Sequence, residues 1–282
     1  MSTSYLLETC LLSHGLRSIS ADDLRKAFAG AGHPLGWVED GVIRIGEIEE
    51  FLPFRESKKS SFRINARNMA ETLERKGSGA LTASGAMEVC RREGIPLAVT
   101  CGMGGFRPER EERASVDLEA VVTIPVTLIA TAPKDMLDIP RTLNWFRDRG
   151  VELLGAGTDR MTGYVFKSAD EPITGCEPGS IKERIKGPSE GRIDRPGTDG
   201  QKDARRLIFL PIPEEKRIAD RSILDEAVKR GLAAEEAGGY FHPAVNAALD
   251  ELTDGYASRI QLDSFAENAR LAAGLAAAIS AD

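Results

Sequence analysis

The stretch Ile95-Pro-Leu-Ala-Val-Thr-Cys-Gly-Met-Gly-Gly-Phe-Arg107 opens on a short apolar run and breaks into glycines. Further along, Pro125-Val-Thr-Leu-Ile-Ala-Thr131 runs into Ala-Pro-Lys134-Asp. Short runs rich in Val, Ile, Leu and Thr, bounded by Gly, Pro or charge, read as strands. Residues 42–45, 151–154 and 207–210 repeat the pattern. Helical patterns lie at 21–29, 65–76, 83–93, 139–148, 219–236, 242–252 and 262–280. Ser20 before Ala-Asp-Asp supplies an N-cap and acidic first-turn residues for the first of these. Strands that alternate with helices through short connections predict an α/β fold, a parallel sheet covered on both faces.

The 282 residues suffice for one large domain or two modest ones. Lys and Arg number 37 against 44 Asp and Glu, a net charge of −7. A nucleic acid polymer is gripped by clustered Lys and Arg, so none is expected as a partner. A small phosphate ester needs only one or two cations in a pocket. No apolar run approaches the roughly 18–20 residues of a membrane span. The start has no basic region and carries Glu8 inside its apolar stretch, unlike a signal peptide. Cys10, Cys90, Cys101 and Cys176 form no CxxC pair, which argues against a zinc site or disulfide framework and for reduced thiols in a cytoplasm. Residues 168–206, crowded with Gly, Pro and charge, predict a flexible insertion or a lid.

Candidate chemistry sits in three places. Glu8 and His14 interrupt the apolar segment that opens the chain. A buried carboxyl there has two readings: a general acid whose pKa is raised by desolvation, or a carboxylate satisfied by backbone amides or an ion pair. The Gly-rich turn with Gly104 and Gly105, and a second turn at Gly155-Ala-Gly-Thr158-Asp159, follow strands. Such turns at the carboxyl edge of a sheet bring backbone amides close to an anion, although many are Gly-rich for conformational reasons alone. Lys134 follows a strongly apolar strand, which suits an amine nucleophile as well as an ordinary loop lysine. The basic run 55–67 faces either a phosphate or solvent, and Asn268 points into a cavity or sits at a helix edge. His33 and His242 each precede a proline and read as turn residues, and Trp37 and Trp145 as packing residues.

In order, Glu8-Thr…Ser13-His-Gly15, Gly79-Ala-Leu-Thr82, Gly102-Met-Gly-Gly105, Ala132-Pro-Lys-Asp-Met-Leu-Asp-Ile139, Gly155-Ala-Gly-Thr-Asp159, Pro211-Ile-Pro-Glu-Glu215 and Asn268-Ala-Arg-Leu-Ala-Ala273 resemble the pseudouridine-5′-phosphate glycosidase family. That family includes the indigoidine-cluster A proteins and C-glycosynthases, and the likeness spans most of the chain. It implies an α/β/α sandwich with a mainly parallel central sheet in a single large domain over 1–282, assembled as a homotrimer. It also implies cleavage of the C–C bond between uracil and ribose 5-phosphate. Lys134 matches the lysine that forms a Schiff base with C1′ of the opened ribose, and Glu8 the proton-transferring acid. Arg63, Thr82, Ala83, Gly104, Gly105, Arg107, Asp117, Thr158, Asp159 and Asn268 fall at matching substrate-binding positions. The implied partners are a sugar phosphate and a heterocyclic or aromatic base.

Several positions depart from the family pattern. Arg63 replaces a phosphate-contacting lysine, Arg107 a histidine, and Gln261 and Leu210 asparagines. The segment from Glu111 to Asp117 is two residues shorter than usual, so the family's manganese-binding aspartate has no counterpart. Ser115 lies nearest. A hard cation wants carboxylate oxygens, so manganese is not expected to bind in the family's way. Other readings are a C-glycosynthase joining a sugar phosphate to a natural-product aglycone, and a non-catalytic sugar-phosphate binder. A Rossmann-type nucleotide binder lacks the GxGxxG fingerprint and its acidic partner.

Overall fold

The computed structural model describes residues 3–16, 18–30, 32–108, 114–186 and 205–280. Nine strands of a ten-stranded sheet lie in the order Thr174–Cys176, Glu152–Ala156, Arg206–Phe209, Thr127–Ala130, Leu97–Val99, Tyr5–Leu7, Leu35–Glu39, Gly79–Leu81 and Arg63–Ile64. Val42–Gly46 forms a hairpin with Leu35–Glu39. From Thr174–Cys176 to Leu35–Glu39 every pairing is parallel. Helices cover both faces, Ala83–Glu93 on one and the 25-residue Tyr256–Ser280 on the other. Leu6, Leu97, Leu128, Ile129, Leu207 and Ile208 are therefore fully buried. Strands covered on both faces become continuous apolar runs, which is why these were legible.

The two halves of the sheet meet at one point. Leu35–Glu39 starts level with Leu7 and carries its direction onward. Gly79–Leu81 then runs back antiparallel to it, so Leu81 arrives opposite the end of Tyr5–Leu7. Thr9 closes the junction: its amide donates to the Leu81 carbonyl, its hydroxyl accepts from the Leu81 amide at 3.0 Å, and that hydroxyl donates to the Gly36 carbonyl at 2.6 Å. Glu8 sits immediately before this clasp.

Two expectations change, and one further helix is present that the sequence pattern did not indicate. The final helix starts at Tyr256, six residues before the predicted 262. Ile48–Glu56 is a helix despite Pro53, which lies too deep to be a first-turn proline, and its Glu47 and Glu50 form a capping box. The described part of the predicted insertion is also ordered into elements. Glu171–Pro172 pairs with Arg160–Met161, Thr174–Cys176 forms the sheet's edge, and Ile181–Lys186 is a helix held by Arg184 and Arg206 on Glu152. The remainder, 187–204, lies outside the described residues.

Helix Ala83–Glu93 is seated close to the short strands: a Cβ at Gly85 would overlap the Ile64 carbonyl, which is backbone and cannot swing aside. Gly85→Ala is expected to destabilise the fold by about 2 kcal/mol, read as a lowered Tm. An unchanged Tm would show that the helix can back away freely.

Candidate active site

Sheet ends supply the site. Glu8 follows Leu7, Thr100 follows Val99, Thr131 follows Ala130 and Thr82 follows Leu81. Beyond them Gly102–Met103 and Ala132–Pro133 pair in parallel, and the Lys134 amide donates to the Met103 carbonyl. This small ladder sets Lys134 beside the Gly-rich turn.

Glu8 is 5% exposed. Oε2 accepts from the amides of Cys10 at 3.0 Å and Leu11 at 3.3 Å, and Oε1 accepts from the Thr100 hydroxyl at 3.3 Å. Those amides open a π-helical turn, Leu11–Gly15, a wide turn often found at functional sites. Burial pushes the Glu8 pKa up to about 7, and the charge of Asp117 adds to the rise. Lys134 and the hydrogen bonds from Leu11 and Thr100 pull it back. The carboxyl is thus satisfied by amides and also has the raised pKa that the other reading requires. Burial also pushes the neighbouring Cys10 thiol up to about 12, so it stays protonated.

Asp117 Oδ1 accepts from the Ser84 amide at 2.9 Å and the Thr82 hydroxyl at 3.2 Å, at the start of the helix that begins with Ala83. A side chain at Gly104 would press on the Ser115 hydroxyl, 3.1 Å from a Cβ, so the glycine turn lies against the Asp117 helix. Gly105 is likewise kept small by Thr142. Asn268 is fully buried and donates to the Thr100 carbonyl at 2.8 Å and the Thr131 hydroxyl at 2.9 Å, while its Oδ1 has no protein partner. Of the basic run, Arg63 sends its charge towards Cys10 and His242. Arg55 and Lys59 instead brace the fold through Leu12, Ile19, Glu39 and Asp40.

Two sequence expectations find other surroundings. Thr158 and Asp159 follow Glu152–Ala156, four strand spacings from Tyr5–Leu7, about 19 Å away. The Thr158 hydroxyl closes its own turn on Arg160, and among the described residues no hydrogen bond joins this turn to the Glu8 cluster. Arg107 is held by Glu235 through two bonds of 2.7 and 2.9 Å, with its guanidinium 4.1 Å over the Phe241 ring.

Other site residues were missed from sequence. His242 is the second residue of helix Phe241–Leu252, not part of a turn, and it faces Lys134, Arg107 and Arg63. Asn246, one turn on, lines a small cavity with Lys134, Tyr164 and Gln261. Asp135 is buried under the loop after Met161, accepting from the amides of Tyr164, Val165 and Phe166 and from the Ser168 hydroxyl. Tyr164 donates to Gln261 Oε1 at 3.1 Å and lies 3.0 Å from Cys101 Sγ. The helical pattern read at 242–252 already set His242 and Asn246 one turn apart, the one available signal that they share a face.

As for manganese, no three His, Cys, Asp or Glu side chains gather as ligands among the described residues. The Ser115 hydroxyl caps its own helix at the Leu118 amide, and Asp117 and Glu8 already accept protein donors. These side chains do not fit a family-type manganese site. Glu111 and Glu112 lie outside the described residues.

The molecule thus belongs among α/β proteins that bring a buried acid and a lysine together at a sheet edge. Residues 7–278 match the family described as indigoidine synthase A like protein, and the chain belongs to that family. It is 28% identical to a pseudouridine-5′-phosphate glycosidase of Methylobacterium nodulans, over 97% of this chain and 82% of the relative. Its fold resembles that of the prealnumycin C-glycosynthase AlnA in complex with ribulose 5-phosphate, with a TM-score of 0.79, 24% identity and coverage of 99% and 92%. An indigoidine synthase A-like protein of Thermotoga maritima superposes with a TM-score of 0.76 at 22% identity, covering 98% and 92%. Among the described residues no helix is long and apolar enough to cross a membrane.

The folded Glu8 carboxyl binds its proton more tightly than an unfolded one, so the native state loses stability as pH rises from 4.5 through about 7. Glu8→Gln cannot ionise and escapes that loss. Denaturant titrations are expected to show the variant gaining about 3 kcal/mol on the wild type between acid and mildly alkaline pH. A parallel pH dependence in the two proteins would mean that Glu8 titrates normally.

Proposed function

We propose that this chain is a C-glycosidase acting on pseudouridine 5′-phosphate or a related C-nucleotide, reversibly breaking and forming the bond between a uracil-like base and ribose 5-phosphate. The carrying observation is that a raised-pKa Glu8 and Lys134 share one site in a member of this family.

A C-glycosidic bond has no heteroatom leaving group to protonate, which makes simple two-carboxylate glycoside chemistry poorly suited. An opened sugar bound to an amine supplies the missing electron sink. The C1′–O4′ bond breaks as the ring oxygen takes the proton held by Glu8, and Lys134 Nζ takes that oxygen's place on C1′, its surplus proton returning to Glu8. When the C1′–base bond breaks, its electron pair stays with the base carbon, which takes the proton held by Glu8. C1′ is left as an iminium on Lys134, and water hydrolyses it to ribose 5-phosphate and free lysine. Run backwards, the same steps join a base to the sugar. A C-glycosynthase with another aglycone is the second reading, favoured by a pocket altered at Arg107 and Gln261. Four free cysteines fit a cytoplasmic setting, and the family resemblance supports a homotrimer.

Ribose 5-phosphate followed by borohydride is expected to leave a reduced pentose-phosphate adduct on Lys134, located by peptide mass, with and without added manganese. Lys134→Ala should give none. Binding without any adduct would leave a sugar-phosphate binder in place of an enzyme, and an adduct only with manganese would require ligands from elsewhere in the chain.

A further inference from the structure

Helices Ser222–Glu236 and Phe241–Leu252 form a hairpin whose tip hangs on Arg107, with Glu235 on one side of the guanidinium and Phe241 on the other. The second helix also packs on the turn Leu11–Gly15, and a Cβ at Gly15 would lie 3.7 Å from the Asn246 amide nitrogen. One helical face therefore looks across the site from the side opposite the sheet.

That face carries two uncommitted polar groups. His242 Nδ1 is sealed from solvent and has no hydrogen-bond partner. The Asn246 side chain makes no hydrogen bond among the described residues, and it borders the cavity that Lys134 shares with Tyr164 and Gln261. A sequestered polar atom without a partner is costly, and folds keep one where a ligand satisfies it. The charges around the imidazole are unbalanced. Arg107 is paired with Glu235, but Arg63 and Lys134 make no ion pair with any described residue. Burial and these three cations hold the imidazole neutral, down at about 3, with Glu235 opposing them. A neutral ring can donate from one nitrogen without adding a charge to a crowded cationic corner. A phosphate monoester is the ligand that answers both the unpaired cations and the unpaired ring.

We propose that His242 and Asn246 are substrate-recognition residues, His242 donating to the phosphate of the bound sugar phosphate and Asn246 to hydroxyls of the opened sugar beside Lys134. The inference rests on the proposed function for the presence of a sugar phosphate, not for its chemistry.

The test is equilibrium dialysis with radiolabelled ribose 5-phosphate and, separately, ribose, alongside the borohydride trap. His242→Ala is expected to weaken ribose 5-phosphate at least tenfold and leave ribose unchanged, with His242→Gln recovering part of the loss. Asn246→Ala is expected to weaken both ligands several-fold. Inorganic phosphate should displace label from the wild type at lower concentration than from His242→Ala. Unchanged Tm values keep these effects apart from misfolding. Wild-type affinity in His242→Ala, or equal losses for ribose and its phosphate, overturns the assignment of His242 even where Lys134 is trapped. His242-dependent binding without an adduct would instead overturn the proposed chemistry and leave this inference standing. No ribose 5-phosphate binding by the wild type overturns both.

Discussion

Glu8 keeps its carboxyl away from water while accepting hydrogen bonds from the amides of Cys10 and Leu11 and from the Thr100 hydroxyl, and the rest of the site depends on that balance. Donors alone would lower the pKa, and desolvation alone would make the segment costly to bury. Together they leave a carboxyl that holds its proton near neutral pH without unfolding the strand end. The balance requires the junction of the two half-sheets to stay closed. Thr9 closes it through three hydrogen bonds, and Asp117, pinned at the start of helix Ala83–Glu93, adds the like charge that finishes the shift.

Behind the site lies a buried polar layer that fixes the lysine side as firmly. Asn268 ties the Thr100 carbonyl to the Thr131 hydroxyl, which also meets Ser264 at 2.6 Å. Cys101 bonds the Gln261 carbonyl and faces Tyr164. Asp135 then gathers three successive loop amides, so the residue after Lys134 is anchored on the loop that covers it. Networks of this kind are stable only when nearly every member is paired, which makes the single open acceptor on Asn268 conspicuous.

The central strands were legible because burial on both faces leaves an uninterrupted apolar run, as at Leu97–Val99 and Thr127–Ala130. The two- and three-residue strands Arg63–Ile64 and Gly79–Leu81 were not, being too short to show any period. Thr174–Cys176 hid in a Gly- and Pro-rich stretch because an edge strand needs little apolar surface. Local sequence singled out Glu8, Lys134 and the Gly-rich turn but left each with two readings, and only the family resemblance assigned them roles. Thr158 and Asp159 looked equivalent to the first Gly-rich turn, but strand order differs from chain order and sets their strand three spacings from that turn's strand and four from Tyr5–Leu7. His242 was read as a turn because the residue before a proline is disfavoured in helices; in the first turn, where amides have no helical partner, that proline is tolerated.

Arg107 shows how a substitution at a ligand-facing turn can be absorbed by architecture. An arginine placed where the family resemblance expects a histidine brings a full charge into a corner that already holds Arg63 and Lys134. Left unpaired, it would repel both and compete for any anion. Glu235 neutralises it in a two-point bond, and the Phe241 ring accepts its face, a geometry open to a planar guanidinium and closed to an ammonium. The clamp draws the hairpin tip onto the glycine turn and so fixes where the next residue, His242, points. Charge balance at one position and the shape of the opposite wall are therefore a single constraint: a change that frees Arg107 from Glu235 alters the electrostatics of the site and the placement of its histidine together.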